Sequence, residues 1–398
     1  MAVALSFFLN GVLVATWVSR IPAVQSRLGL THGTLGLALL CLAFGAVLAM
    51  PVSGWLASRY GSHRITQFAA LLCCTFLPLL ALAPTAQILM LALFAFGAVH
   101  GGFDVAMNAQ AVAVEERYRR PIMSSFHALW SLGGLVGAAI GSGIAAVGIH
   151  PFAHFSIAGL LFGGIACAVA LPRLLHVSRT ILPAAIEDKR TAAPFGLRSA
   201  KLIALGAIAF CVMMGEGAMA DWSAIFLRDS AGSPESLAAM GYAAFSIAMA
   251  IGRVYGDRLT ERLGGTVLLR LSGIVAMVGL GAALVFPHPA VALAGFAAVG
   301  LGFATVVPVV FSAAGRTSAE NPGGALAAVT TVGYFGFLVG PPTIGFIAEC
   351  IGLRLALGVV VITSFCIVAL AHHVRLRPQR HRGRETVLHP WSVVPTIP

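Results

Sequence analysis

Leu56, Arg59 and Gly61 of this chain recur as Leu259, Arg262 and Gly264, a shift of 203 residues. Pro84 recurs as Pro287, each in a short break between apolar runs. Gly133, Leu135, Val136 and Gly137 recur as Gly336, Leu338, Val339 and Gly340. Most other paired positions differ. Three anchors at one shift, spread over the length of several helices, are nonetheless hard to obtain by chance. A duplicated unit with parallel halves predicts two like bodies, with any functional site between them.

The kind of body follows from composition. Of 398 residues, 59% are hydrophobic and only 10% charged, against about 25% charged in a soluble domain. Mean hydropathy is +0.93. A helix needs ~20 apolar residues to cross a bilayer, so the chain holds about twelve spans. The apolar runs are 1–18, 33–57, 66–83, 87–113, 121–147, 152–172, 202–222, 236–258, 266–286, 290–314, 323–348 and 353–373. A barrel would instead show alternating strands of ~10 residues. The expected fold is therefore all-α and integral to the membrane. Twelve transmembrane helices form two six-helix bundles, related by a pseudo-two-fold axis along the membrane normal. The expected division is an N-terminal bundle at 1–172, a linker at 173–201, a C-terminal bundle at 202–373 and a disordered tail at 374–398.

The net charge of +11 invites a nucleic-acid reading, which position rejects. All Lys and Arg but Arg20, Arg27, Arg228 and Arg354 fall in loops of one side or at their helix mouths. That is the positive-inside bias. It predicts that both termini and the linker are cytoplasmic, with acidic lipids as partners of the charge. Met1 stands almost inside the first span with no basic residue before it. Either later loops set the orientation or the start lies upstream. No cleavable signal is evident, so span 1 is expected to remain. The seven cysteines form no CxxC or Cys/His cluster, so neither a metal site nor a disulfide framework is expected.

Ionisable groups deep in spans are costly and mark function by default. Asp104 in span 4 and Glu216 in span 7 are the mid-membrane acids; Asp221 and Glu349 stand nearer the outer ends. His100, Asp104 and Asn108 are spaced i, i+4, i+8 and share a helix face with Gly97, Gly101 and Ala111. They read as a substrate and proton site, or as a polar packing cluster satisfied by a neighbouring helix. Glu216 lies between Gly215 and Gly217, which allow close approach of a backbone or substrate. Asn10 in span 1 reads equally as a ligand group or a structural hydrogen-bonder. His127, near Trp130 and Ser131 in span 5, reads as a cavity, gate or interfacial residue. Spans 1, 4, 7 and 10 each open a three-helix group, and span 10 contributes Thr305 and the kink-prone Pro308.

Those residues resemble the major facilitator superfamily across essentially the whole chain. The resemblance implies twelve helices in two bundles, with helices 1, 4, 7 and 10 lining a central cavity. Gly54, Arg59, Gly61 and Arg64 stand where the family's loop signature has Gly, basic, Gly and basic. Ser58 replaces its acid. In the second copy Asp257, Glu261, Arg262 and Gly264 supply the matching gate. The segments FFLNGVLVATWVSRIPAVQ, GGFDVAMNAQAVAVE, SSFHALWSLGGLVGA and EGAMADWSAIFLR resemble the bacterial fucose-permease-like branch. Asp104 then stands where a proton-coupling acid belongs. The branch's span-1 acid is missing, and Asn10 takes its region. Gly137-Ala138 replaces the Gly-Pro pair of drug antiporters, leaving residues 133–143 to close helix packing.

The resemblance implies a secondary transporter working by alternating access, with no cofactor and no enzymatic step. Its implied partners are a small polar or sugar-like solute, protons and lipid, and the chain is expected to be a monomer. Asp104, Glu216 and His100 would handle the proton. Asn10, Asn108, His127, Trp130 and Thr305 would bind substrate, and Trp17 and Trp222 could stack a ring. Efflux by the same route, or a sensor that has lost transport, remain as alternatives. A membrane enzyme would have only His100 and Asp104 as an acid–base pair, without GxSxG, HExxH or a phosphate loop. With no basic pair in the cavity helices, a strongly anionic solute is disfavoured.

Overall fold

In the computed structural model the described residues are 1–118, 123–170, 174, 199–317 and 322–374. Most of the predicted linker and tail lies outside them. All regular structure among them is helical. Twelve stretches are long and apolar enough to cross a bilayer, and they fall where the apolar runs predict. In lipid every backbone polar group needs an internal partner, which a helix provides.

The departures have local causes. Span 1 runs on as Ala2–Leu28, because after a turn at Ser19–Arg20 the chain restarts as Ile21–Leu28 with Pro22 in its first turn, where proline costs nothing. Span 7 continues to Asp229, which carries Asp221 two turns inside. Span 10 breaks into Pro289–Phe303 and Val306–Thr317. Pro308 has no N–H to donate, and its ring presses on the carbonyl of Ala304, four residues back.

The duplication is visible in three dimensions. Spans 1 and 5, 2 and 4, 3 and 4, and 3 and 6 pack together; so do 7 and 11, 8 and 10, 9 and 10, and 9 and 12. The two large contacts between halves, span 2 on span 11 and span 5 on span 8, are images of each other. Even single contacts repeat. A Cβ on Gly97 would lie 2.0 Å from the carbonyl oxygen of Leu42, and one on Gly300 would lie 2.2 Å from that of Phe245; both residues of the pair shift by 203. The left-handed Gly29 and Gly61 recur as Gly232 and Gly264.

Spans 1 and 7 are the most enclosed, each with 78% of its apolar window buried. Phe68, Leu160, Val278 and Phe365, on spans 3, 6, 9 and 12, turn more than half their surface outward. Such faces are untenable in water and ordinary against lipid. Spans 3, 6, 9 and 12 thus each present a face to lipid, while spans 1 and 7 are held inside.

On the side away from the linker the halves are sealed together. Arg228 donates to the Pro22 carbonyl (2.6 Å), Gln25 Oε1 (2.7 Å) and Ser26 Oγ (2.9 Å) across the boundary. Glu349 accepts from the Gly33 N–H at 3.1 Å, His32 pairs with Asp229 at 3.6 Å, and Arg20 pairs with Glu235 at 3.5 Å. Glu349 stays exposed at the outer end while joining this seal. On the linker side, Arg59, Arg64, Glu261 and Arg262 are exposed. Among the described residues they form no ion pair. Arg59 lies over the rings of Trp55 and Tyr60. Gly54 is buried, and the side chains of Ser58 and Asp257 lie outside the described residues.

Candidate functional site

The site begins with close helix packing. Gly11 lacks a side chain where a Cβ would stand 2.1 Å from the Trp130 carbonyl oxygen. Gly133 does the same against Phe8. Spans 1 and 5 therefore touch, and the Trp130 indole reaches Asn10 Oδ1 at 2.8 Å. An indole N–H can only donate, so it fixes the amide oxygen on its own side. The same oxygen lies 3.1 Å from His100 Nε2. Since that oxygen only accepts, His100 carries its proton on Nε2. Asn10 is fully buried, and its Nδ2 has no partner among the described residues.

Asp104 is held differently. Asn108 Nδ2 donates to Asp104 Oδ1 at 3.2 Å and to the Asp104 carbonyl at 2.9 Å. No hydrogen bond joins His100 to Asp104. The i, i+4 spacing puts them on one face, but the imidazole turns to span 1 and the carboxyl to its own helix. Gly97 and Gly101 lie against Leu42 and Ala46 of span 2, so the small residues of this face serve packing. Asp104 lies deep in the protein yet is only half-buried, so it borders interior space.

Glu216 is equally deep and half-buried on span 7. Its Oε1 has no hydrogen-bond partner among the described residues. The flanking glycines receive aromatic rings rather than a solute: Phe303 at Gly215 and Phe337 at Gly217. Tyr334 of span 11 is within Coulombic reach of both Asp104 and Glu216. Tyr242 hydrogen-bonds Ser246 and stands within reach of Glu216, Asp221 and Arg253. Acids from the two halves therefore face one central region.

Below it, toward the linker side, opens a cavity of about 380 Å³. Its wall includes His127, Arg253, Thr260, Thr305, Phe311 and Tyr334. His127 packs edge-on against Phe7 at 5.3 Å. Thr305 lines the cavity, but its hydroxyl shares a hydrogen bond with Ser272 at 3.1 Å. Arg253 Nη1 makes a long bond of 3.3 Å to Ser131 Oγ. Ser131 and Tyr334 occupy equivalent positions of the two halves, 203 apart.

Sequence reasoning brought Asp104, Asn108, Glu216, His127 and Thr305 to this region. It missed Tyr242 and Tyr334, which carry no signal until the spans are packed, and it left Arg253 at the mouth of span 8. Trp17 and Trp222 are buried, against Phe155 and His32, and do not line this cavity. Trp130 is bound to Asn10. Among the described residues no three His, Cys, Asp or Glu side chains converge to hold a metal ion.

Twelve membrane helices in two repeated halves, sealed on one side around a central polar chamber, define a polytopic membrane transporter. The sequence profile of the major facilitator superfamily matches residues 3–336, and the chain belongs to that family. It is 37% identical over 370 residues to an uncharacterised MFS-type transporter of Yersinia pestis, covering 93% of this chain and 94% of that one. It is 36% identical over 375 residues to membrane protein MosC of Rhizobium meliloti, covering 93% and 88%. A mutant of the nucleoside transporter NupG has the same fold, with a TM-score of 0.77, 12% identity and coverage of 93% and 97%. A D-xylose–proton symporter also shares it, with a TM-score of 0.70, 15% identity and coverage of 94% and 95%.

Proposed function

We propose that this chain is a proton-coupled symporter that moves a small polar solute across a bacterial inner membrane by alternating access. Residues 1–172 and 202–373 rock against each other, tethered by 173–201, with both termini cytoplasmic. On that orientation the state described above faces inward, since its seal lies on the periplasmic side. The observation that carries the reading is the pair of deep, half-accessible carboxyls, Asp104 and Glu216, from opposite halves and both within Coulombic reach of Tyr334. A buried acid that meets water first from one side and then from the other can load and release a proton in each cycle.

Asp104 is the carrier in this reading, with Asn108 holding its carboxyl. Glu216, with an unpaired oxygen, takes a polar group of the solute or a second proton. His100, locked to Asn10, positions span 4 against span 1 and does not share Asp104's proton. Asn10 and Trp130 set that contact, and His127 and Thr305 line the path to the linker side. Gly54, Arg59, Gly61, Arg64, Asp257, Glu261, Arg262 and Gly264 form the loops that close that side in the opposite state.

The test is Asp104→Asn in proteoliposomes. Uphill uptake driven by a proton gradient should vanish while exchange of labelled for unlabelled solute persists. Gradient-driven accumulation at the wild-type level would remove Asp104 from coupling.

A further inference from the structure

Arg253 is the one charged side chain among the described wall residues of the 380 Å³ cavity. Those residues include no carboxylate; Asp104, Glu216 and Asp221 are outside the wall, with Glu216 within Coulombic reach of Arg253. Its partners are few. Among the described residues, ion pairs join Arg20 to Glu235, His32 to Asp229 and Arg228 to Asp229, and none includes Arg253. Its one hydrogen bond is the 3.3 Å contact from Nη1 to Ser131. A guanidinium has five N–H donors and stays charged in any protein. Yet this one spends a single donor on a neutral hydroxyl, three residues from the linker-side end of the span Glu235–Gly256. The unspent donors are not walled in, whereas those of the buried Arg20 are.

The rest of the wall suits the same ligand. His127 and the hydroxyls of Thr260 and Tyr334 line the same cavity, and His127 lies within Coulombic reach of Arg253. Span 10 is broken beside it: Thr305, Val307 and Pro308, at the start of the helix Val306–Thr317, all line the cavity. The start of a helix carries partial positive charge, and a half-helix of this kind adds to the field that Arg253 sets up. Phe311 offers an apolar face opposite. A planar oxyanion fits the fork of an arginine in bidentate geometry.

We infer that Arg253 forms a carboxylate-binding subsite, and that the solute carried is a small hydroxylated organic acid rather than a neutral sugar. The inference rests on the transport reading above and narrows it. It reverses the expectation that anionic solutes are disfavoured: a basic pair is absent, but a single arginine on a wall without carboxylates suffices. A bound carboxylate would take up the N–H donors that Arg253 leaves unspent.

The experiment measures thermal shift and titration calorimetry on purified protein with matched probes. Each carboxylate is set against its neutral counterpart: glucuronate against glucose, gluconate against sorbitol, lactate against propanediol, and quinate against inositol. At least one carboxylate should bind about ten- to a hundredfold tighter than its partner, the range expected for charged hydrogen bonds. Arg253→Gln should erase that preference, while its ligand-free melting temperature stays close to wild type, because the side chain makes no ion pair among the described residues and one long hydrogen bond. Arg253→Lys, which keeps a point charge without the fork, should retain a reduced preference and guards against a misfolded glutamine variant. No preference in any wild-type pair, or an undiminished preference in Arg253→Gln, overturns the inference. Flux measurement separates the two readings. Carboxylate binding without flux in liposomes defeats transport and leaves the subsite standing. Flux of neutral solutes alone defeats the subsite and leaves transport.

Discussion

Asn10 shows how one side chain can hold several helices. Its oxygen accepts from Trp130 of span 5 and from His100 of span 4, while its own backbone sits in span 1. Removing the acceptor leaves two donors with nothing to bond in a region without water, at about 1–3 kcal/mol each. Asn10→Leu should therefore lower the melting temperature of the detergent-solubilised protein by several degrees. His100→Leu, which removes one donor along with its need, should cost less. Equal losses from the two would show that Asn10 is not the hub. At this scale the sequence was half legible: a polar residue inside an apolar run announces itself, but its partner does not. His100 and Asp104 looked paired because they are one turn apart. The structure pairs each with something else, since a side chain's direction depends on which helix faces it.

At the scale of the helix, glycine placement decides how closely the spans approach. Gly137 would put a Cβ 2.6 Å from the Val12 carbonyl oxygen, whereas Gly143, in the same run, meets nothing within 4 Å. Gly137→Val should push spans 1 and 5 apart, misplace Trp130 and give aggregated protein on size-exclusion chromatography. Gly143→Ala should elute as wild type and melt at the same temperature or slightly higher, since alanine is the better helix former. A well-behaved Gly137→Val would mean that the spans tolerate a wider spacing than described. The run from Gly133 to Gly143 reads in the sequence as a packing face, and the contacts of Gly133, Gly137 and Gly141 agree. Which member is indispensable cannot be read from the run itself, because it depends on where the partner's carbonyls fall. The break in span 10 was partly legible through Pro308. Its placement beside Arg253 was not.

For the whole molecule, the asymmetry between the two sides is the state. Arg228 alone makes three bonds across the far-side boundary, and none of them survives opening there. Loss of about 2 kcal/mol of such differential contact would move the balance of the two states roughly thirtyfold. Arg228→Ala should thus populate the far-side-open form. Spin labels at Val147 and Phe286, both exposed on that side in opposite halves, should report a longer distance in the variant than in its parent. An unchanged distance distribution would show that the seal is held elsewhere, by span 2 against span 11.

The sequence by itself determined the class of molecule. Apolar run length, the 203-residue shift and the one-sided arginines are properties of the chain in any conformation, and lipid admits few solutions to them: twelve helices in two like halves. It also named Asp104 and Glu216, because a charge in an apolar run stands out wherever it ends up. Only the tertiary structure decided what those residues meet. Tyr334 within reach of both acids, Asn10 shared by two donors, and Arg253 on the chamber wall are all products of helix rotation and crossing. Rotation and crossing are fixed by contacts among small and apolar side chains far apart in the chain, and a linear pattern of polarity carries no measure of them.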